Sequence, residues 1–529
     1  MSSEESAPLK SRLFPSPRST APVSTPLSIL DATVARFSPT GAIWLFDSDT
    51  VKKGSTLSDT IGVLKSSFVT TLNSFPHWAG QLQWCPVRAG GSHAERFGRP
   101  MVVYGHDFDP GVEWVISKQS GTLDSIVPTA VERAAGNATW IASDFPQKIF
   151  LSDTQLALYN LRDFENLPGM SVQITTFACG SYAVAVKMAH TLADAQALVV
   201  FMHQWAAASR AHHGASGKSL MDSPVFNPSE LDTRAAGDID ADSADPCISE
   251  TARSLPCHRF DWWNDAKDPA FPSFLNPTSE NSKPSAAILA GTTLSPSTPA
   301  PWNTWDLMRP VSHAQLHFTD QQLSTLRSRT RESASSRPDI SRLDALLAHI
   351  WSAINRARGH AHSSFDVYLN VTLGARTRVS PPLPDSFIGS PVFLTHVRIP
   401  GTAASAASLG PVASAIRDTI ALFTPKKMDA LLHDAAYEVS PQRLWQAFLG
   451  NQHTLVTSWL RLRVYDVDFI GGGKAPRYVQ AVLPKMDGCV QVMESCGEVG
   501  GVDVSLYLES EAMGKLVKER EEFLAGLKV

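Results

Sequence analysis

His190-Thr-Leu-Ala-Asp194 sets an imidazole four residues before a carboxylate. An imidazole of ordinary pKa ~6.5 can take a proton from a hydroxyl or an amine at neutral pH without a metal, and a well-placed base contributes roughly 10² to 10⁴ in rate. The spacing alone is weak, because His362-Ser-Ser-Phe-Asp366 repeats it. Context separates the two. His190 follows Tyr182, Val184, Val186 and Met188, which alternate as in a strand, and precedes Leu192, Ala195, Leu198, Val199, Met202, Trp205 and Ala206, which recur at helical spacing. At such a junction the ring can project into a cleft while Asp194 is held one turn on. The plainer reading is a core histidine, with Asp194 supplying negative charge at a helix N-terminus.

Other chemistry is excluded by residue type. Gly471-Gly-Gly-Lys474 is followed by Ala475, and Asp468 stands six residues before the lysine, where a phosphate-binding loop needs Ser or Thr and Gly respectively. No G-x-S-x-G elbow, H-E-x-x-H helix, EF-hand loop or G-x-G-x-x-G fingerprint occurs. His212-His213 lies in a Gly- and Ser-rich stretch and reads as surface. Cys85, Cys179, Cys247, Cys257, Cys489 and Cys496 form no C-x-x-C pair and read as reduced thiols of a cytoplasmic protein. The sequons at Asn137 and Asn370 are accordingly read as chance matches.

The chain has 529 residues, 43% apolar and 18% charged, enough for two large cores. A net charge of −5 with no basic block argues against nucleic acid. The most apolar window, Tyr182 to Met202, is interrupted by Lys187, His190 and Asp194, so no membrane span is expected.

The elements that would position His190 can be read in order. Residues 1–25, rich in Ser and Pro, are expected to be a flexible tail. Residues 26–235 would form a first lobe: a helix from Thr56 up to the Pro76 break, with Leu57, Ile61, Leu64, Phe68, Leu72 and Phe75 on one face, and two strands about Cys179-Gly180. Residues 236–310, poor in periodic segments, would cross between lobes, pinned by Trp262, Trp263, Trp302 and Trp305. Residues 311–529 would form a second lobe: strands at 314–318, 365–373, 479–483, 489–494 and 501–508, helices from Asp320, after Ser341 or Asp339, at 403–422, at 427–436 and at 510–526, and an extended segment at 454–469. Helix plus mixed sheet in each half gives an α/β fold of two lobes with a cleft between them.

With these segments in place the chain resembles the BAHD acyl-CoA-dependent acyltransferases, particularly the fungal branch that includes the trichothecene 3-O-acetyltransferases. The similar segments keep the family's order: Leu27-Ser-Ile-Leu-Asp31, Phe75-Pro-His-Trp-Ala-Gly-Gln-Leu82, Val172 to Gly180, His190 to Asp194, Ile340 to Trp351, and Thr457-Ser-Trp459 before Asp468-Phe469. The resemblance implies a two-lobe chloramphenicol-acetyltransferase-like fold with a channel between the lobes, acyl-CoA as co-substrate, no tightly bound cofactor and no metal, and a monomer. It implies His190 as general base without a covalent acyl-enzyme, Asp194 paired with Arg376 to support the histidine's loop, and Thr457 and Trp459 at the reacting centre, the indole stabilising the oxyanion. Asp468 would fix a bend, and Gly471, Gly472, Gly473, Lys474 and Arg477 would lie toward CoA. The chain departs from the family where D-F-G-W-G-K-P becomes Asp468 to Pro476, where Ala195 replaces glycine, and where D-G-R and G-N become Gly374-Ala-Arg376 and Gly389-Ser390.

The expected activity is therefore transfer of an acyl group, acetyl in the first instance, from CoA to a hydroxyl of a small secondary metabolite. An amine acceptor is the nearest variant. A peptide-condensation-type enzyme would carry two adjacent histidines, whereas Ala189 precedes His190. A non-catalytic ligand-binding or scaffold relative is the alternative of another class.

Overall fold

Two mixed β-sheets, each flanked by helices, divide the chain in a computed structural model that describes residues 7–18, 21–35, 38–135, 138–261, 263, 267–335, 337–440 and 443–527. The first sheet has six strands in the order Leu9–Leu13, Val112–Gln119, Met170–Phe177, Tyr182–Met188, Thr40–Phe46 and Tyr478–Ala481. The second has seven: Val392–Pro400, Asp366–Gly374, His453–Ser458, Cys489–Glu494, Val502–Glu509, Val311–Phe318 and Thr139–Ile141.

Alternation explains the first sheet. Along Thr40–Phe46, Ala42, Trp44 and Phe46 enter the main core of the first lobe, while Ile43 and Leu45 join a second cluster with Phe145, Phe150 and Phe177. Tyr182, Val184, Val186 and Met188 do the same opposite them. Because both faces are covered, the strand is apolar along most of its length, and the chain leaves it at Met188 to present His190. The helix Leu57–Leu72 starts at the Thr56 cap, whose side chain and Asp59 satisfy each other's backbone amides. Its Phe68 meets Trp205 edge-on at 5.1 Å, and the Trp205 indole donates to the Leu64 carbonyl at 3.0 Å, joining it to the helix Ala195–His212. In the second lobe Arg342–Ala357 buries Leu346, Leu347, Ile350, Trp351 and Ile354.

Three expectations are corrected. Leu9–Leu13 and Val23–Pro26 are strands, so residues 1–25 are not simply a tail: the first segment satisfies the outer edge of Val112–Gln119. The extended segment predicted for 454–469 ends at Ser458, where Arg461 and Arg463 take positive φ and turn the chain into a short 3-10 helix at Val464–Asp466. The helix predicted for 403–422 is two, Gly401–Ala404 and Gly410–Ala421. The lobes also exchange strands. Tyr478–Ala481, counted with the second lobe, pairs with Thr40–Phe46, and Thr139–Ile141, counted with the first, pairs with Val311–Phe318.

The crossover is pinned as its tryptophans suggested. Trp302 and Trp305 stack at 6.1 Å and both meet Phe448 edge-on, and Arg443 lies over the Trp263 ring. Trp262, like the sequon residue Asn137, lies outside the described residues. No described helix is long and apolar enough to cross a membrane.

The crossover also seals a histidine cluster. His258 stacks on His396 at 3.9 Å and lies 5.5 Å from His453, which stacks on Tyr368 at 4.5 Å. Burial pushes these imidazoles from 6.5 down to about 2, 4 and 3 respectively. Below pH 6.5 the unfolded chain binds protons that the folded chain refuses, so stability is flat above that pH and falls as the pH drops beneath it, by about 1.4 kcal/mol per pH unit for each such histidine. Thermal midpoints should decline between pH 6.5 and 5, and His453→Phe should make the decline shallower. An equal slope in the variant would show that His453 is not charged on unfolding.

Candidate active site

Between the two sheets lies a cavity of about 780 Å³ whose wall includes His190, Asp194, Arg376, Thr457 and Trp459. Sequence reading placed His190, Thr457 and Trp459 at the reacting centre and Asp194 with Arg376 as the support of the histidine's loop, and the fold gathers all five from both lobes. His190 is delivered by the end of Tyr182–Met188 and opens a single 3-10 turn before the helix Ala195–His212. Its Nδ1 lies 2.8 Å from Ser390 Oγ. Burial lowers its pKa, and the Asp194 charge partly offsets that effect, so the ring is neutral at neutral pH.

Asp194 caps the helix that follows: its Oδ1 accepts from the Ala197 amide at 2.9 Å. The same carboxylate receives two hydrogen bonds from Arg376, at 2.5 and 3.0 Å, and Arg376 also donates to the Phe387 carbonyl at 2.8 Å. Both partners are buried. The pair therefore joins the helix of one lobe to the segment after Asp366–Gly374 in the other, with the fork geometry that favours arginine over lysine.

Thr457 stands near the end of His453–Ser458, beside Gln491 of the neighbouring strand. Trp459 follows that strand, and its amide donates to the Val492 carbonyl at 2.7 Å. Trp459, 6% exposed, packs with the core of the first lobe while also forming cavity wall.

The glycine loop is placed elsewhere. Asp468 accepts from the amides of Ile470, Gly471 and Gly473, and Gly471, Gly472 and Gly473 all have positive φ, so Asp468 does fix a bend. The Asp468 carbonyl is held by Arg210, at the far end of the helix from Asp194. Sixteen residues at 1.5 Å each separate these ends by about 24 Å. Neither the loop nor Lys474 or Arg477 contributes to the cavity wall. Lys474 pairs with Asp49 at 2.6 Å on the surface, and Arg477 is taken up by Asp47 and Asp124. Where sequence reading set these cations toward CoA, the fold pairs them with carboxylates and leaves them outside the wall of this cavity.

Two residues missed by sequence reading complete the support of His190. Asp31 is fully buried, accepts from the Ser390 amide and from both the amide (2.9 Å) and hydroxyl (2.7 Å) of Ser28, and is pushed by burial up to about 7. Its carbonyl accepts from Thr191 at 2.8 Å. Gly389 has a φ of +145°, and a Cβ there would sit 3.0 Å from Asp31 Oδ1. Its carbonyl meanwhile accepts from the Asp194 amide. The signals in the sequence were Ser28-x-x-Asp31, which has the form of a capping box, and Gly389-Ser390, where the family has G-N. A third, Arg378, lines the cavity, donates to the Gly374 carbonyl and has no carboxylate in ion-pair range among the described residues.

Breaking one side of a buried ion pair strands the other charge. Arg376→Met should cost about 3 to 5 kcal/mol in denaturant unfolding, whereas Asp194→Asn, which keeps an oxygen for the Ala197 amide, should lose less. Wild-type stability in Arg376→Met would remove the pair from its structural role.

Residues 146–255 and 304–523 match the Transferase family. An acyltransferase of Alternaria alternata, AFT15-1, is 26% identical over 528 residues, spanning 96% of this chain and 95% of the relative. A hydroxycinnamoyl-CoA:5-hydroxyanthranilate N-hydroxycinnamoyltransferase of Avena sativa, HHT4, is 24% identical, spanning 73% and 75%. Among solved structures, F. graminearum TRI101 with coenzyme A and deoxynivalenol superposes with a TM-score of 0.64 at 16% identity, covering 95% of this chain and 98% of the other. Vinorine synthase gives 0.57 at 16%, covering 97% and 96%. With two lobes of that architecture and a family match over most of its length, this chain is an acyltransferase of the Transferase family, the BAHD acyltransferases.

Proposed function

We propose that the protein transfers an acyl group, acetyl in the simplest case, from acyl-CoA to a hydroxyl of a small molecule, with His190 as general base and no covalent acyl-enzyme. The observation that carries this reading is a neutral imidazole in the cavity wall whose Nδ1 is engaged by Ser390. With Nδ1–H donating to Ser390 Oγ, proton transfer falls to Nε2. Nε2 takes the acceptor's proton as the acceptor oxygen attacks the thioester carbonyl. The tetrahedral oxyanion is met by the Trp459 indole N–H and the Thr457 hydroxyl. Collapse breaks the C–S bond, and the CoA thiolate recovers the proton from Nε2. A donor aimed at such an oxyanion is worth roughly 3 kcal/mol.

A covalent route through a thiolate is disfavoured, because the cysteine in the cavity wall, Cys489, is pushed by burial up to about 12. Arg378 is the cation this cavity offers to the phosphates of CoA. That both lobes of the site come from one chain supports activity as a monomer.

Purified protein incubated with acetyl-CoA and a panel of alcohols should release free thiol, and His190→Ala should lower the rate about 10² to 10⁴-fold. Undiminished release in that variant defeats the base assignment. Absence of release with every donor and acceptor favours the non-catalytic alternative. Lys474→Ala should leave the KM for acyl-CoA unchanged, because its ammonium is spent on Asp49.

A further inference from the structure

The cavity wall changes chemistry along its length. Around the Asp194–Arg376 pair it holds Gln196, Thr377, Arg378 and Asp385, polar groups at the start of one helix and in the loop after Asp366–Gly374, with Gln196 donating to the Asp385 carbonyl. Where the crossover meets the first lobe, the wall is Ser38, Thr40, Phe274, Leu275, Tyr159 and Leu483, and no described lining residue there is charged. Lys485 lies between two lining residues but is exposed and not itself in the wall.

Two observations at this second end point to a ligand. Phe274 and Tyr159 are 63% and 61% exposed, on separate segments joined where Asn281 donates to the Asn160 carbonyl at 2.6 Å. Two large rings left in water beside one opening are apolar area waiting for a partner. The hydroxyl of Thr40 is the second observation. It is buried, lines the cavity and has no hydrogen-bond partner among the described residues. A buried hydroxyl without a partner is costly and is relieved by a ligand oxygen. Thr40 pairs with Met188, two residues before His190, and Thr40 and His190 line the same cavity, so a group held by Thr40 shares that cavity with the base.

We infer that the acceptor is an uncharged, largely apolar alcohol bearing a second oxygen function, that it enters past Phe274 and Tyr159, and that Thr40 positions it. This rests on the acyl-transfer reading above: CoA is polyanionic, the cation of the wall is at the Arg378 end, and the uncharged end is left for the acceptor. An ammonium or carboxylate there would lose its hydration to apolar walls without a counter-ion.

Binding separates this inference from turnover. Titration of the full chain, followed by fluorescence of its tryptophans, three of which (Trp305, Trp445 and Trp459) line the cavity, would compare three probes of similar shape. These are 6-methoxy-2-naphthaleneethanol, 2-(6-methoxy-2-naphthyl)ethylamine and 6-methoxy-2-naphthoate, with CoA titrated in parallel. The alcohol should bind at least roughly tenfold more tightly than the amine or the carboxylate. Phe274→Ala should weaken the alcohol roughly 3- to 10-fold and leave CoA binding unchanged. Thr40→Val should weaken it by a similar factor, and Thr40→Ser should restore it. Equal or tighter binding of either charged probe, or variants that shift CoA and not the alcohol, would overturn the inference. If the binding order holds but no thiol is released, the catalytic reading fails, while the assignment of this end of the cavity to an uncharged, largely apolar alcohol stands.

Discussion

The ion pair between Asp194 and Arg376 is the constraint on which the rest depends. It is buried, bidentate and made between lobes, so the charges that hold the halves together also fix the first turn of the helix after His190. One carboxylate does two jobs: it terminates a helix and it anchors the opposite lobe. The segment that carries Arg376 returns through Gly389 and Ser390 to touch the histidine itself. Displacing either lobe would move the base, its partner and its cap together.

Beneath this pair sits a second buried carboxylate with a different task. Asp31 meets no cation in ion-pair range among the described residues; hydrogen bonds from Ser28 and Ser390 surround it, and burial raises its pKa. Asp194 and Asp31 thus grip the same loop from two sides, one by charge and one by amide and hydroxyl contacts. That arrangement accounts for Gly389, since any side chain would press on Asp31. It also accounts for why serine suffices next to it: the backbone is already fixed, and only one oxygen is needed to meet Nδ1.

What sequence reading delivered follows from which interactions are local. The strand to His190 and the helix beyond it were legible because their apolar periods differ and both faces of the strand are covered. His190, Asp194, Arg376, Thr457 and Trp459 were named by resemblance, and the fold gathers all five at one cavity. Lys474 and Arg477 misled because a glycine-rich basic run looks the same whether or not aspartates from distant segments have neutralised it. That Asp31 reaches Ser390, that Thr40 lines the cavity and that the lobes exchange strands could not be read, since each acquires its meaning from a partner far away in the chain. The strand at Thr139–Ile141 is only three residues long and carries no pattern of its own.

The exchange of strands has a mechanical corollary. Tyr478–Ala481 covers the last edge of one sheet and Thr139–Ile141 that of the other, so each half of the polypeptide holds a finishing piece of its counterpart. Backbone amides along Thr40–Phe46, whose seven residues are all buried, would be stranded without it. A nick in the crossover would thus leave two fragments still clasped, and a nascent chain must wait for its carboxyl-terminal stretch before its earliest sheet is closed.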